Sequence, residues 1–282
     1  MKFFTVNLKE NFPFLTSKQE PALTCYINDN CFDWEPDRRV PAILICPGGG
    51  YANVCFSREG EPIAFNYLRA GFSAFILTYS VQPEHYPQQL SEAAAAVLYI
   101  RQHAEEWHID PDKIAINGYS AGGHLAASLG VFWNDPFILD ILKTEGSAIR
   151  PDAMILGYPV ISAEASFSHI DSINNISGTT EQTSPLYRKM SLETHVNENT
   201  PEAFIWHTSD DNLVPVKNSL VLAEAFAQSS VPFELHIYPH GWHGLATGDN
   251  VTNAPMKSPA YYCSSWIDES IKFLKALWYE FD

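Results

Sequence analysis

The segment KIAINGYSAGGHLAA, residues 113–127, contains a G-x-S-x-G sequence at positions 118–122. Its first five residues have the pattern of a buried strand and its last residues that of a helix, so the glycines and Ser120 fall at a strand-to-helix turn. Such a turn brings the backbone from both sides too close for a Cβ. An ordinary glycine turn is the alternative interpretation, but the flanking strand and helix favour a nucleophile at Ser120.

Outward from this turn, short apolar segments alternate with longer helical patterns from about residue 40 onward. This alternation is typical of βαβ units and predicts a mostly parallel sheet with helices on both faces. The predicted strands are Ala42–Cys46, Ser73–Tyr79, Lys113–Asn117, Ala153–Tyr158, Ala203–Thr208 and Phe233–Tyr238. The predicted helices lie between Pro87 and Trp107, at Val216–Gln228 and at Cys263–Trp278.

Two segments depart from this alternating pattern, the N-terminal residues and residues 160–200. Phe4–Leu8 and Ala22–Ile27 are extended segments separated by proline turns, which predicts an antiparallel edge before the parallel sheet. Residues 160–200 are rich in polar side chains, which favours an excursion over the edge of the sheet, such as a small lid, rather than a part of the core. The 282 residues are otherwise expected to form a single α/β domain.

Composition and charge argue against a membrane protein and against a nucleic-acid-binding protein. No stretch approaches the roughly 18 apolar residues of a membrane span, and the N-terminus has no signal-peptide pattern, so a soluble, cytoplasmic protein without a membrane partner is expected. The formal net charge of −16 argues against nucleic acid as a partner.

The cysteines carry little functional information. Their number is odd and they contain no C-x-x-C pair, so reduced thiols are expected rather than a metal site or a disulfide between Cys46 and Cys55. The five residues are Cys25, Cys31, Cys46, Cys55 and Cys263.

A second glycine-rich segment, Pro47-Gly48-Gly49-Gly50-Tyr51, directly follows the first strand of the predicted parallel sheet. Backbone N–H groups that turn inward here would stabilise the oxyanion of a tetrahedral intermediate. We expect the N–H groups of Gly49, Gly50 and Ala121 to form this oxyanion hole. A flexible turn at the end of a strand is the alternative interpretation.

Candidates for a catalytic acid and base follow later strands, at residues 207–215 and 239–244. The order Ser, Asp, His is the order of the triad in the α/β-hydrolase fold. A serine hydroxyl needs a neutral imidazole to accept its proton, and the imidazole needs an acceptor on its far nitrogen. The acid could be Asp210 or Asp211, and the base could be His240 or His243.

Other polar and aromatic residues near these motifs are weaker candidates. We expect His124, on the helix after the turn, to be a packing residue, and His207 to hydrogen-bond the loop that carries the acid. Four aromatic residues flank the motifs and are candidates for an acyl or sugar pocket, with core packing as the alternative. They are Tyr51, Tyr119, Tyr158 and Trp242.

These motifs resemble those of the bacterial acetylesterase/lipase-type α/β hydrolases, which include acetyl-xylan-esterase-like proteins. The resemblance covers about residues 40–275 and extends to Arg58–Pro62 and Gly157–Ile161. The family's Asp-x-x-Val-Pro pattern selects Asp211 as the acid, and Trp242-His243-Gly244 selects His243 as the base. The sequence departs from lipases and hormone-sensitive-lipase-like esterases at Pro47, where those proteins have a histidine.

The resemblance implies a serine carboxylic-ester hydrolase that works without a metal or organic cofactor. It implies acetyl or other short acyl groups on a sugar or small alcohol as substrates, so an acetylated carbohydrate is an expected partner. A peptidase of the prolyl-oligopeptidase type shares the fold and triad order but generally needs an additional domain. A binding module that has lost catalysis is the third hypothesis, against which the intact Ser, Asp and His argue.

Overall fold

The computed structural model describes residues 1–29, 35–253 and 262–279, and the described residues contain an eight-stranded sheet. The spatial order of its strands is β1-β2-β4-β3-β5-β6-β7-β8. The pairs β1–β2 and β2–β4 are antiparallel and the other pairs are parallel, which confirms the predicted mixed sheet with an antiparallel N-terminal edge. The strands are β1 (Lys2–Asn7), β2 (Ala22–Ile27), β3 (Val40–Cys46), β4 (Ser73–Thr78), β5 (Ile109–Tyr119), β6 (Ala153–Gly157), β7 (Ala203–Thr208) and β8 (Phe233–Tyr238).

Helices cover both faces of this sheet, as the alternating pattern predicts. They are α1 (Leu8–Asn11), α2 (Phe56–Glu59), α3 (Glu61–Arg69), α4 (Gln88–Gln102), α5 (Ala121–Phe132), α6 (Pro136–Leu142), α7 (Gly146–Ile149), α8 (Ile170–Ser177), α9 (Pro185–Lys189), α10 (Lys217–Gln228) and α11 (Trp266–Trp278). Leu192–Thr194 forms a short 3-10 helix.

The core lies in two layers, one on each face of the sheet. Successive residues of a strand point to opposite faces, so Leu44 of β3 belongs to the apolar cluster that includes α4, α5 and α10, whereas its neighbour Ile43 belongs to the cluster that includes α3 and α11. Because β3 is central and buried on both faces, it is apolar throughout rather than alternating. The carboxyl ends of the parallel strands then meet at one edge, where the loops that follow them converge.

Residues 160–200 contribute more to the core than their polar composition predicts. Helix α8 buries Ile173, α9 buries Tyr187, and Leu192 is fully buried in the same apolar cluster as α5. The expectation that this segment lies outside the core is therefore wrong, because a few well-spaced apolar residues are enough to anchor short helices. Its action as a lid, and the extent of a single domain over residues 1–282, remain predictions.

The two cysteines near the carboxyl end of β3 do not form a disulfide. Cys46 ends β3 and is buried, Cys55 precedes α2 and is half-buried, and neither forms a disulfide. Burial raises the pKa of both thiols. Cys31 lies outside the described residues.

In residues 1–29, 35–253 and 262–279, none of the helices combines the length and the apolar character of a membrane span. Helices α5 and α6 together have the length and composition of a membrane span, but the angle between them is 99°.

Candidate active site

Ser120 sits at a tight turn between β5 and α5. Its backbone has φ 53° and ψ −122°, a conformation that non-glycine residues rarely adopt. A Cβ on Gly118 would collide with the carbonyl oxygen of Gly122, and one on Gly122 would collide with the carbonyl oxygen of Cys46 at the end of β3. Gly118 is therefore required by the close approach of backbone atoms within the turn, and Gly122 by the packing of the turn against the end of β3.

Three side chains that are far apart in sequence form a continuous chain of hydrogen bonds at this edge. The hydroxyl of Ser120 lies 2.8 Å from Nε2 of His243, which is 123 residues away in the chain. Nδ1 of His243 lies 2.7 Å from Oδ2 of Asp211. The three residues follow β5, β8 and β7, respectively, so the arrangement is assembled by the parallel strands. The geometry has the form of a nucleophile, a base and an orienting acid.

The carboxylate of Asp211 is buried and held on both oxygens. The backbone N–H groups of Leu213 and Val214 each donate to Oδ1 at 3.0 Å. His207 Nε2 lies 3.4 Å from Oδ2 and 2.9 Å from the carbonyl oxygen of Val214, which agrees with the expected contact between this histidine and the acid's loop. Burial alone would raise the pKa of Asp211, but the hydrogen bonds from His207 and His243 hold it well below its ordinary value. The carboxylate is thus ionised and fixed in one orientation toward His243.

The competing acid and base lie outside this chain of contacts. Asp210 accepts a hydrogen bond from the backbone N–H of Gly241 at 2.6 Å and lies 3.1 Å from Nδ1 of His240. The side chains of Asp210 and His240 are 53% and 63% exposed, so this pair is a solvated contact between two loops. The structure therefore brings His243, and not His240, to Ser120.

The glycine loop after β3 lies beside Ser120. Gly49 has φ +130° and Gly50 has φ +66°, values that favour glycine, and a Cβ on Gly49 would collide with the backbone of Asn53. Among the hydrogen bonds of the described part of the chain, none is donated by the N–H groups of these two glycines. Ala121 is the first residue of α5, where a helix leaves its N–H groups without partners. These three N–H groups are available to an anion near Ser120.

Glu59, which the sequence marks only as part of a family-like segment, is a buried carboxylate that connects the loops of the site. Its Oε2 accepts a hydrogen bond of 2.7 Å from the backbone N–H of Gly48, and its Oε1 accepts one of 2.7 Å from the hydroxyl of Tyr158. The same hydroxyl accepts a 3.0 Å hydrogen bond from the N–H of Ala246, three residues after His243. Burial raises the pKa of Glu59, although both hydrogen bonds oppose the shift.

A cavity of about 380 Å³ opens above Ser120. Its volume lies within the range of sites that bind small molecules. Arg58 and His169 belong to its lining and were not predicted: Arg58 occurs in a family-like segment, whereas His169 lies in the polar segment 160–200 without any motif around it. The lining residues are Gly49, Gly50, Cys55, Arg58, Glu59, Ser120, His169, Leu213, His243 and Gly244.

The four aromatic residues proposed for a pocket do not line this cavity, which corrects that expectation. Tyr51, Tyr119 and Tyr158 are buried, and Trp242 is 38% exposed. Tyr119 packs against Trp266 on the opposite face of the sheet, with 5.7 Å between the ring centroids. The alternation of directions along β5 explains this position, because Tyr119 points away from the layer that contains Ala121.

His124 is a packing residue, as predicted. Its Nδ1 lies 2.9 Å from the hydroxyl of Tyr51, and its Nε2 lies 3.0 Å from the carbonyl oxygen of Met190. Burial lowers the pKa of His124 to about 4, so it is neutral near pH 7. The two hydrogen bonds of His124 connect the glycine loop, through Tyr51, and the end of α9, through Met190, to α5.

Sequence comparison relates the chain to longer curated proteins. The family model BD-FAE matches residues 32–226. Endo-1,4-beta-xylanase B from Butyrivibrio fibrisolvens is 36% identical over 240 residues, which are 82% of this chain and 35% of the relative. Acetylxylan esterase from Xylanibacter ruminicola is 29% identical over 250 residues, which are 88% of this chain and 47% of the relative. The chain spans less than half the length of these two relatives.

Solved structures match the chain over nearly its whole length. The crystal structure of an acetyl ester-xyloside bifunctional hydrolase from Caldicellulosiruptor lactoaceticus has a TM-score of 0.81 and 35% identity, and the match covers 97% of this chain and 96% of that chain. The carboxylesterase Cest-2923 from Lactobacillus plantarum WCFS1 has a TM-score of 0.82 and 27% identity, with 100% of both chains covered.

Proposed function

Because this chain belongs to the BD-FAE family and has the α/β-hydrolase fold, we propose that it is a serine carboxylic-ester hydrolase that removes acetyl or other short acyl groups from a sugar or small alcohol. The class of enzyme that the sequence predicts, a carboxylesterase-type hydrolase, agrees with the named relatives. The observation that carries the proposal is the hydrogen-bonded chain from Ser120 through His243 to Asp211 at the floor of a cavity.

In the first half of the proposed reaction, the hydroxyl oxygen of Ser120 attacks the ester carbonyl carbon while Nε2 of His243 accepts the hydroxyl proton. The carbonyl oxygen becomes an oxyanion that accepts hydrogen bonds from the N–H groups of Gly49, Gly50 and Ala121. Asp211 stabilises the imidazolium cation and keeps the imidazole in the tautomer that can accept the proton.

Collapse of the tetrahedral intermediate breaks the bond to the alcohol. His243 gives its proton to the leaving alcohol oxygen, and the acyl group remains on Ser120 as an ester. Water then attacks this acyl-enzyme while His243 accepts a proton from it. The second tetrahedral intermediate collapses as His243 returns this proton to the oxygen of Ser120, and the acid product leaves. Each step transfers one proton through the same imidazole, so no metal or organic cofactor takes part in the proposal.

Two relatives have names that refer to xylan or xyloside cleavage, but we do not extend that activity to this chain. Hydrolysis of a glycosidic bond generally requires two carboxyl groups that flank the bond. Among the described residues that line the cavity, Glu59 is the only carboxylic acid, and both of its oxygens accept hydrogen bonds. The peptidase and the non-catalytic module are not favoured by relatives named as esterases. The cytoplasmic location stays a prediction.

The proposal is tested with a Ser120→Ala variant and a panel of substrates. The wild-type protein should release acetate from simple acetyl esters and from acetylated xylo-oligosaccharides, should cleave an aminoacyl anilide far more slowly, and should be labelled covalently by an organophosphonate. Ser120→Ala should lose both hydrolysis and labelling while circular dichroism shows an unchanged fold. Retained turnover or labelling of the alanine variant would refute the assignment of the nucleophile.

A further inference from the structure

Arg58 places a positive charge in the wall of the active-site cavity. This residue belongs to α2, and it lines the same cavity as Ser120 and His243. Its Nη2 donates one hydrogen bond, of 3.3 Å, to the side-chain oxygen of Asn253. Its Nε is buried and has no hydrogen-bond partner among the residues that the structure describes. A buried donor without a partner is costly, and because Nε has almost no accessible surface, a ligand in the cavity would meet the terminal nitrogens of the guanidinium group instead.

No carboxylate neutralises this guanidinium group by direct contact within the described residues, where none of the ion pairs includes Arg58. The nearest acid in sequence, Glu59, directs its two oxygens to the N–H of Gly48 and the hydroxyl of Tyr158 instead. Within the described ranges, the cavity therefore contains a cation without a carboxylate in direct contact, although Glu59 is near enough to interact with it electrostatically and the whole chain carries a formal net charge of −16. Such an arrangement requires an explanation in terms of what enters the cavity.

The position of the guanidinium group indicates which part of a substrate it would meet. A Cβ built on Gly244 would lie 3.8 Å from Cζ of Arg58 and 3.9 Å from both terminal nitrogens, so the group lies against the backbone that follows His243. In the proposed reaction His243 gives its proton to the leaving alcohol oxygen, so the alcohol part of the ester lies on this side of the cavity. The glycine loop and Ala121 would receive the carbonyl oxygen instead.

We propose that Arg58 is a substrate-binding residue that selects esters whose alcohol part carries a carboxylate, such as an acylated hydroxy acid or acidic sugar. The planar guanidinium group binds a carboxylate through two parallel hydrogen bonds, and this match is stronger and more directional than binding to a neutral hydroxyl. The inference rests on the proposed ester hydrolysis and specifies its substrate class.

A purely structural role for Arg58 makes a different prediction. Arg58 could act only by holding Asn253, whose side-chain nitrogen donates a 2.7 Å hydrogen bond to the carbonyl oxygen of Leu245 in the loop of the catalytic histidine. Loss of such support would slow the hydrolysis of every ester to a similar extent. Recognition of a carboxylate would instead change the ratio between a charged ester and a neutral one.

The test compares 3-acetoxybenzoate with 3-acetoxybenzamide, which have the same acyl group and nearly the same shape but differ in charge. Release of acetate is measured for the wild-type protein, Arg58→Gln, Arg58→Lys and Arg69→Gln. Arg69→Gln removes the same charge from an exposed position on α3, where the side chain is 72% exposed, and is therefore the matched control for net charge.

We expect the wild-type protein to favour the benzoate in kcat/KM by about tenfold or more, mainly through a lower KM. Arg58→Gln should abolish the preference, Arg58→Lys should retain part of it, and Arg69→Gln should retain all of it. An equal loss on both esters in Arg58→Gln, or a wild-type protein without preference, would overturn the inference while the proposed ester hydrolysis stands. If the wild-type protein hydrolyses neither of these esters nor simple acetyl esters, and Ser120 is not labelled by an organophosphonate, both proposals fail together.

A second pair of esters tests whether Arg58 contacts the alcohol part of the substrate or its acyl part. Phenyl hemisuccinate carries its carboxylate on the acyl part, and phenyl succinamate is its neutral counterpart. The wild-type protein should show no preference of comparable size for the hemisuccinate. A larger preference in this pair than in the benzoate pair would overturn the assignment of Arg58 to the alcohol side.

Discussion

Asp210 and Asp211 are consecutive in the chain, yet their carboxylates contact different histidines. Asp211 lies 2.7 Å from Nδ1 of His243 and its side chain is fully buried. Asp210 lies 3.1 Å from His240, and both of these side chains are mostly exposed to solvent. Both acids lie in the turn after β7, which ends at Thr208, and this turn directs only Asp211 to the histidine beside Ser120.

This relationship predicts very different losses for two otherwise equivalent substitutions. Asp211→Asn should lower kcat for acetyl ester hydrolysis on the order of 10⁴-fold, the loss caused by the wrong imidazole tautomer in another serine hydrolase. Asp210→Asn should have a far smaller effect, because it disturbs only an exposed contact. The measurement is kcat of the two variants side by side, with folding checked by circular dichroism. A larger loss at position 210 than at position 211 would reverse the assignment.

The tight turn at Ser120 predicts that Gly122→Ala is damaging even though alanine favours helices. Its Cβ would collide with the carbonyl oxygens of Cys46 and Pro47, which are backbone atoms at the end of β3 and cannot move aside independently. We expect a loss of about 1–3 kcal/mol in the free energy of unfolding, typical of overpacking, and a marked fall in kcat as Ser120 is displaced.

Gly130→Ala is the control for this substitution. Gly130 lies in the same helix, but its Cβ would meet the flexible side chain of Met154, away from Ser120. This variant should lose stability without a comparable fall in kcat. Urea unfolding and acetate release separate the two effects, and similar kcat values for both variants would contradict the role of Gly122 in the turn.

The buried carboxylate of Glu59 predicts a pH-dependent effect on stability. Burial raises its pKa in the folded protein above the ordinary value of 4.5. Well below this value the group is protonated in both states, and its full contribution to stability is present. As the pH rises past 4.5, the unfolded chain releases its proton before the folded protein does, so this contribution falls until the folded pKa is passed.

Glutamine cannot ionise, so Glu59→Gln removes this pH dependence. The free energy of unfolding of the variant, relative to the wild-type protein, should become more favourable as the pH is raised from about 4 to about 7. Loss of a hydrogen bond to Gly48 or Tyr158 would shift the difference by a constant amount and would not change this trend. Urea unfolding at several pH values measures it, and parallel curves for the two proteins would show that Glu59 does not titrate as described.

The size of the cavity predicts a preference for short acyl groups. At about 380 Å³, it has to accommodate both the acyl group and part of the alcohol. Acetyl and propionyl esters should therefore have higher kcat/KM values than the octanoyl ester of the same alcohol. A series of esters with increasing acyl length provides the measurement. Faster turnover of the octanoyl ester would show that long chains find another path out of the cavity.

The tight turn that carries Ser120 and the positions of the strands along the chain followed from local patterns in the sequence. A strand, a pair of glycines around Ser120 and an alanine-rich helix are consecutive, so their steric requirements are contained in one short segment. The same holds for β3 to β8, because each strand is a short apolar segment bounded by turn residues. Prediction of Asp211 and His243 also needed the resemblance to a known family, since local patterns left two acids and two histidines as candidates.

Only the tertiary structure decided which other side chains surround Ser120. Glu59 and Arg58 reach the site because α2 follows the glycine loop and β3 lies next to β5. The paired residues of these two strands are about 70 positions apart in the chain, and their contact has no periodic signal in the sequence. His169 comes from the segment after β6, and the tyrosines beside the motifs turned out to be buried. Burial and direction depend on how strands and helices pack across the sheet, so a residue's neighbours in sequence do not determine them.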